Sequence, residues 1–270
     1  MKKIMLRVLG VALAGAWAGN IWYYHALKLE KPLFLKHYYE LGASQLQHVS
    51  FYYISNPDST RKPYQLELPD HSKLQVSGVQ TRDTQGRLQL NEVLATSGKK
   101  PNEPRTETLS TDQLTIYYND GSIDTVPIGT MIVHPDPTIG YPLQSNSGGS
   151  SSDGSGYSNY VAKREVSLAS YKSSFPELIA DSLEVTLNGK LVSTPGIFPM
   201  ALTKEDRFDL LYAFRLPKGD IRRYNAYNLM LGCFEAGTEA LASIQHVNIQ
   251  PQLYGDDLAP YVRMRKAEQR

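Results

Sequence analysis

The stretch QLTIYYNDGSIDTVPIGTMIVH, from Gln113 to His134, indicates a β-hairpin. Asn119-Asp120-Gly121 lies between two runs that are rich in β-branched and aromatic residues. Such residues favour pleated strands, and an Asn-Asp-Gly sequence is typical of the tight turn that joins two antiparallel strands. The pattern therefore predicts antiparallel β-structure in the middle of the chain.

The residues before this hairpin also have the pattern of strands separated by turns. In LQHVSFYYIS, for example, Val49, Phe51 and Tyr53 occupy alternate positions, which is the period of a half-buried strand. About seven such runs occur between Leu33 and Leu143, the number found in a small immunoglobulin-like β-sandwich. We expect one such domain in this part of the chain.

The second half of the chain begins with QSNSGGSSSDGSGYSN, Gln144 to Asn159. This Ser/Gly-rich segment offers no apolar surface to offset the entropy of ordering it, so we expect a flexible linker. Beyond it, runs such as DSLEVTLNGKLVS, with a second hairpin turn at Asn188-Gly189, predict about five or six further strands. The basic carboxyl end, YVRMRKAEQR, is most simply a solvated tail.

These patterns predict an all-β protein with two tandem immunoglobulin-like β-sandwich domains. The predicted domains are residues 25–143 and 160–255, joined by the linker 144–159 and followed by a basic tail at 256–270. The alternative is one larger β-sandwich in which the Gly/Ser segment is a disordered loop.

The amino-terminal segment raises a separate question. Three basic residues precede an uncharged run from Val8 to Tyr24, and aromatic residues 22–24 fall where the outer headgroup boundary is expected. We therefore expect residues 1–24 to form a transmembrane signal-anchor. The alternative is a signal peptide cleaved near Ala18, because Ala16 and Ala18 fit the small-residue pattern that precedes a cleavage site.

Composition excludes several classes of function. The chain of 270 residues carries 28 Lys plus Arg and 27 Asp plus Glu, a formal net charge of +1, so no global field attracts nucleic acid. Its single cysteine, Cys233, permits no internal disulfide and no multi-cysteine metal site. Because Cys233 lies in the apolar stretch NLMLGCFEAG, we expect an inert, buried thiol.

The catalytic motifs that can be tested against the sequence give no site. The six histidines are scattered without metal-ligand spacing, and there is no Gly-x-Ser-x-Gly nucleophile motif. Ser59 to Lys62 and Ser97 to Lys100 match Ser-x-x-Lys, but both are expected in polar loops without the partner motifs of β-lactam-binding enzymes. The oxygen-rich Asn119–Asp124 segment suggests calcium as an alternative to a simple turn. We predict no catalytic residue, no metal ligand and no cofactor.

The expected function follows from location and architecture. We expect a single-pass protein of a bacterial cell membrane, with its bulk extracytoplasmic, that acts as a binding, sensing or structural module of the envelope and not as an enzyme. Its partners would be the membrane, through the amino-terminal helix, and another envelope protein or a surface glycan. The alternatives are an envelope hydrolase that acts on carbohydrate with paired carboxylates, and a secreted protein.

Overall fold

Strands dominate the fold, as the alternating sequence patterns predict. The computed structural model describes residues 2–98, 105–137, 140–151, 153–238, 240–253 and 257–268. The helices in these ranges are α1 (Lys2–Leu27), α2 (Pro176–Ile179) and α3 (Leu258–Glu268). The strands are β1 (Leu33–Phe34), β2 (His37–Gly42), β3 (Val49–Ser55), β4 (Pro63–Glu67), β5 (Lys73–Gln85), β6 (Leu88–Ser97), β7 (Leu109–Tyr118), β8 (Ile123–His134), β9 (Leu143–Ser150), β10 (Ser155–Ala162), β11 (Val166–Ser173), β12 (Leu183–Leu187), β13 (Lys190–Leu191), β14 (Met200–Leu202), β15 (Arg207–Phe214), β16 (Ala226–Glu235) and β17 (Leu241–Ile249).

The described strands form two sheets. The larger has 12 strands in the order β1-β3-β6-β5-β4-β7-β8-β2-β16-β11-β14, with β17 also paired to β16. The smaller has five strands in the order β13-β12-β15-β10-β9. Strand β2 runs parallel to both β8 and β16, so it joins strands from the two halves of the chain in one sheet.

Two hydrophobic clusters fill the molecule. The first lies among β1–β8 and α3 and includes the fully buried rings of Phe51 and Tyr118. The second lies where the five-stranded sheet packs against β11, β16 and β17, with Phe208 from one sheet and Leu229 from the other. The protein is therefore mostly β, with sandwich-like sheets, as expected.

Both predicted hairpin turns are confirmed. Asn119–Gly121 connects β7 to β8, and Gly121 has a φ of 82°. Asn188 and Gly189 connect β12 to β13 with φ angles of 47° and 74°. These positive angles explain the sequence, because Asn and Gly tolerate the left-handed region better than other residues.

The prediction of a flexible linker, or of a disordered loop, at 144–159 is wrong. Residues 144–150 belong to β9 and residues 155–159 to β10, which form an antiparallel hairpin whose second strand also pairs with β15. Its glycines permit close packing, since a Cβ atom on Gly149 would lie 3.0 Å from Cε1 of Tyr157. Pairing with β15 and the packing of Tyr212 from that strand also order this segment, and neither can be read from the composition of the segment itself.

Replacing Gly156 in β10 by Val should lower the free energy of unfolding by about 2 kcal/mol, the cost of overpacking a well-packed site. A Cβ at this position would meet the Tyr212 hydroxyl and lie 2.6 Å from the carbonyl oxygen of Gly149. Gly78→Val in β5 is the matched control, because a Cβ there has nothing within 4 Å. Urea unfolding measures both variants, and equal shifts would contradict the close packing of the β9–β10 hairpin.

The prediction of a solvated basic tail at 256–270 is also wrong for its described part. Residues 258–268 form α3, which buries Leu258, Tyr261 and Val262 in the first cluster. These three positions lie on one face of a helix, which the basic composition of the segment obscures. The ammonium group of Lys266 donates to the carbonyl oxygens of Ala26, at 2.9 Å, and Lys28, at 2.8 Å.

Helix α1 is fixed at its carboxyl end and exposed over residues 10–21. Leu27 is buried in the first cluster, whereas every residue from 10 to 21 is exposed. Within the described residues we find no helix whose length and apolar character suffice for a membrane crossing.

Candidate functional site

Around Glu40, a group of hydrogen-bonded polar side chains joins the two hydrophobic clusters. Glu40 lies on β2, and one of its carboxylate oxygens is 2.6 Å from Nε2 of His134 at the end of β8. The other accepts a hydrogen bond of 2.5 Å from the hydroxyl of Ser174, which follows β11. The parallel pairing of β2 with β8 and β16 brings these side chains together. No linear motif marks them, because 134 positions separate Glu40 from Ser174.

The hydrogen bonds of Ser174 make the polar group of Glu40, His134 and Ser174 a structural cross-link. Its hydroxyl donates to Glu40 and accepts from the backbone N–H of Met230 at 2.7 Å. A nucleophilic serine needs a base that takes its proton and a third group that orients the base. Here the carboxylate contacts serine and histidine on opposite sides, and Ser174 is buried. The arrangement ties β2 to β16 and presents no free nucleophile.

A cleft of about 860 Å³ lies beside this cross-link, at the junction of the two clusters. His246 of β17 lines it directly opposite Met230 in the strand register. Burial lowers the pKa of His246, while the nearby Glu40 acts in the opposite direction. Two further carboxylates line the cleft and are engaged: Asp136 accepts from the Ser44 hydroxyl at 2.9 Å, and Glu235 accepts from Arg164 at 2.7 Å.

Glu40→Leu should destabilise the protein by about 3 kcal/mol, since it leaves His134 and Ser174 without their shared acceptor. Glu40→Gln should cost less than half as much, because an amide can still accept from one neighbour and donate to the other. Glu184→Leu, at an exposed position of β12, is the control and should change stability by at most about 0.5 kcal/mol. If chemical denaturation gives equal effects for Glu40→Leu and Glu184→Leu, the cross-link is energetically unimportant.

The Ser-x-x-Lys matches do not form a site among the described residues. Ser59 and Lys62 lie in the loop between β3 and β4, as predicted, without a helical turn to align them. Ser97 is the buried last residue of β6 and not part of a loop, which corrects its predicted setting. Lys100 lies outside the described residues.

In the oxygen-rich segment Asn119–Asp124, the carboxylates pair with an arginine side chain. The guanidinium of Arg61 lies 3.2 Å from the carboxylate of Asp124 and 3.5 Å from that of Asp120. Arg61 also donates to the hydroxyl of Ser122 at 2.8 Å. In the ranges that the structure describes, no group of three or more His, Cys, Asp or Glu side chains is arranged to hold a metal ion. The contacts favour the turn interpretation over calcium binding.

Cys233 is buried on β16, as its apolar neighbours predict, and burial raises the pKa of its thiol to about 11. The thiol is therefore neutral and inaccessible in the folded protein. Tyr39, Tyr52 and Tyr53 are structural as well, because all three are buried in the first cluster.

A second candidate site surrounds the carboxyl half of α1. A cleft of about 1260 Å³ lies between this helix, the turn from β5 to β6, and α3. On its walls, the guanidinium carbon of Arg87 is 3.9 Å from the centre of the Tyr24 ring, and that of Arg263 is 5.4 Å from the centre of the Tyr23 ring. We call Arg87, Arg263, Tyr23 and Tyr24 the collar of α1. No sequence pattern marks Arg87, and Arg263 belongs to the basic carboxyl-terminal run that the sequence predicts to be a solvated tail.

Comparisons with known proteins give weak structural matches. No protein-family model and no curated protein matches the chain. A Porphyromonas gingivalis protein of unknown function is 11% identical, covers 81% of this chain and 97% of its own, and has a TM-score of 0.23. The titin domains Z1Z2 in complex with telethonin are 12% identical over 81% and 96% of the two chains, with a TM-score of 0.21. The fibronectin(III)-like modules of Clostridium thermocellum CbhA are 7% identical over 83% and 97%, with a TM-score of 0.18.

Proposed function

We propose that this chain is a membrane-anchored module of a bacterial cell envelope. In this proposal α1 is held in lipid, and two tandem immunoglobulin-like sandwich domains extend outside the cytoplasm. The domains serve binding, sensing or structure, with another envelope protein or a surface glycan as the partner. The chain is retained in the cell membrane and is not an enzyme.

The exposure of α1 is the observation that carries the proposal. Residues 10–21, GVALAGAWAGNI, contain no charged residue, and all of them are exposed. Val11 is 74% exposed, Leu13 54% and Trp17 69%. A helical segment that carries no charge on any face and is exposed on all of them cannot be covered by packing a single face, whereas lipid covers all faces at once.

The charges on either side of this run fit a membrane interface. Lys2, Lys3 and Arg7 precede it in the sequence, and the collar arginines lie at its carboxyl end. Basic side chains stabilise helix ends at headgroups, where tyrosine rings also collect. Lys266 and the burial of Leu27 fix α1 to the first cluster, so the β-structure would lie close to the lipid surface.

The cleft of about 860 Å³ at the junction of the two hydrophobic clusters, which we call the junction cleft, favours binding over hydrolysis. A glycosidase needs two carboxylates facing a substrate, with one available as an acid and the other as a base or nucleophile. Asp136 and Glu235, which line this cleft, are instead held by Ser44 and by Arg164, and Glu40 beside it is held by His134 and Ser174. A mixed polar and apolar cleft at a domain junction is a usual place for a ligand or for a partner's loop.

Fractionation of cells that express the full chain tests this function. We expect the protein in the membrane fraction, with an intact mass that includes α1. Protease added to cells with a permeable outer layer should digest the β-structure and leave the amino-terminal residues protected. A mature chain that begins near Gly19 and is free in the medium would contradict the proposal and support the cleaved signal peptide.

A further inference from the structure

The cleft around the carboxyl half of α1 is lined by two arginines and has an apolar wall. The wall is formed by Trp17 and Ile21, which are 69% and 52% exposed. Arg87, from the turn between β5 and β6, and Arg263, from α3, approach the cleft from two different elements. The basic groups therefore lie near the carboxyl end of α1, where the helix meets the rest of the protein. The apolar groups lie further toward its amino terminus, on the exposed segment.

The two guanidinium groups keep their hydrogen-bonding capacity. Both arginines are exposed, and within the residues that the structure describes neither has a carboxylate at ion-pair distance. Each instead lies over a tyrosine ring, Arg87 over Tyr24 and Arg263 over Tyr23. Ring stacking orients a guanidinium while leaving its N–H groups free to bind an anion.

Among the described residues that line the cleft, the one carboxylate, Asp83, is already engaged. Asp83 accepts a hydrogen bond from the backbone N–H of Thr84 at 2.8 Å and another from the side-chain amide of Gln85 at 2.7 Å. Gln85 in turn accepts from the N–H of Leu258 at the start of α3 at 2.9 Å. This network ties the β5–β6 turn to α3 and so fixes the elements that carry Arg87 and Arg263.

We propose that this cleft binds the phosphate of an anionic phospholipid headgroup between Arg87 and Arg263. The acyl chains of the same lipid then lie along the apolar wall of Trp17 and Ile21. Planar guanidinium groups are suited to phosphate oxygens, and the order of charge and apolar surface along α1 matches the order within a phospholipid. The inference rests on the proposed anchoring and adds a preference for anionic lipid.

Vesicle flotation with the full chain tests the site. One set of vesicles contains phosphatidylcholine alone, and the other contains phosphatidylcholine with phosphatidylglycerol. We expect tighter binding to the anionic set, and we expect Arg87→Gln with Arg263→Gln to weaken that binding about 30-fold, from the usual contribution of two basic residues at an anionic surface. Binding of the double variant to phosphatidylcholine should be unchanged, because α1 still inserts.

The control removes two charges elsewhere. Lys190→Gln with Arg207→Gln changes exposed residues of the five-stranded sheet and should leave both affinities unaltered. An equal loss in this control, or equal binding of the wild type to the two vesicle sets, overturns the lipid site and leaves the anchor standing. Failure of the wild type to bind any vesicle overturns the anchor itself. Displacement from anionic vesicles by inorganic phosphate at constant ionic strength would assign the cleft to free phosphate instead.

Discussion

Acidification from pH 6.5 to pH 4.5 is expected to lower the free energy of unfolding by about 2 to 3 kcal/mol through His37 alone. His37 is fully buried on β2, and its Nε2 accepts a hydrogen bond of 2.8 Å from the backbone N–H of Tyr52. Burial lowers the pKa of His37 from 6.5 to about 3, and the charge of Arg265 acts in the same direction.

The direction follows from proton binding in the two states. Between pH 6.5 and about 3, the unfolded chain binds a proton at His37 and the folded protein does not. Stability therefore falls as the pH falls, by about 1.4 kcal/mol for each pH unit within this window. Well above pH 6.5 the imidazole is neutral in both states and contributes no slope.

His37→Gln isolates this effect, since the amide oxygen can still accept from Tyr52. Between pH 6.5 and 4.5, urea unfolding should give a slope of stability against pH that is about 1 kcal/mol per unit shallower than in the wild type. His48→Gln, at an exposed position, controls for the loss of a histidine. Equal slopes in wild type and His37→Gln would mean that His37 does not oppose acid unfolding.

Placing two aspartates on α1 should abolish membrane association. Leu13→Asp with Trp17→Asp introduces two charges into the exposed apolar run, each costing about 3 kcal/mol in the hydrocarbon region. We therefore expect at least a thousandfold loss of vesicle binding. Thermal unfolding should change little, because both side chains project away from the hydrophobic clusters.

Ile123→Asp with Leu211→Asp is the matched control. These side chains are 57% and 45% exposed on β8 and β15, so the control adds the same charge to exposed apolar positions of the sheets. It should float with vesicles as the wild type does. Equal loss in the two double variants would indicate an effect of net charge and not of the helix.

Short-range signals predict part of the fold well. Asn119-Asp120-Gly121 and Asn188-Gly189 specify their turns through local backbone preference, so the sequence is sufficient there. The order of β9 and β10 depends on Tyr212 and on pairing with β15, which are distant in sequence. The Ser/Gly-rich composition of the segment indicates only that it cannot form a hydrophobic core of its own.

The candidate sites illustrate the same limit. Glu40, His134 and Ser174 meet because β2 is inserted in parallel between β8 and β16, a topology that no periodicity encodes. Arg87 and Arg263 likewise line one cleft only because the β5–β6 turn and α3 lie next to each other beside α1. Cys233 was predictable because burial depends on its immediate apolar neighbours.

The most direct test of the account is the fluorescence of Trp17 in the presence of lipid. The chain contains two tryptophans, and both lie in α1, so Trp22→Phe leaves Trp17 as the only one. With vesicles that carry bromine on the acyl chains, we predict a blue-shifted emission that is strongly quenched. An emission maximum typical of water, unchanged and unquenched when vesicles are added, would contradict the proposal that α1 lies in lipid.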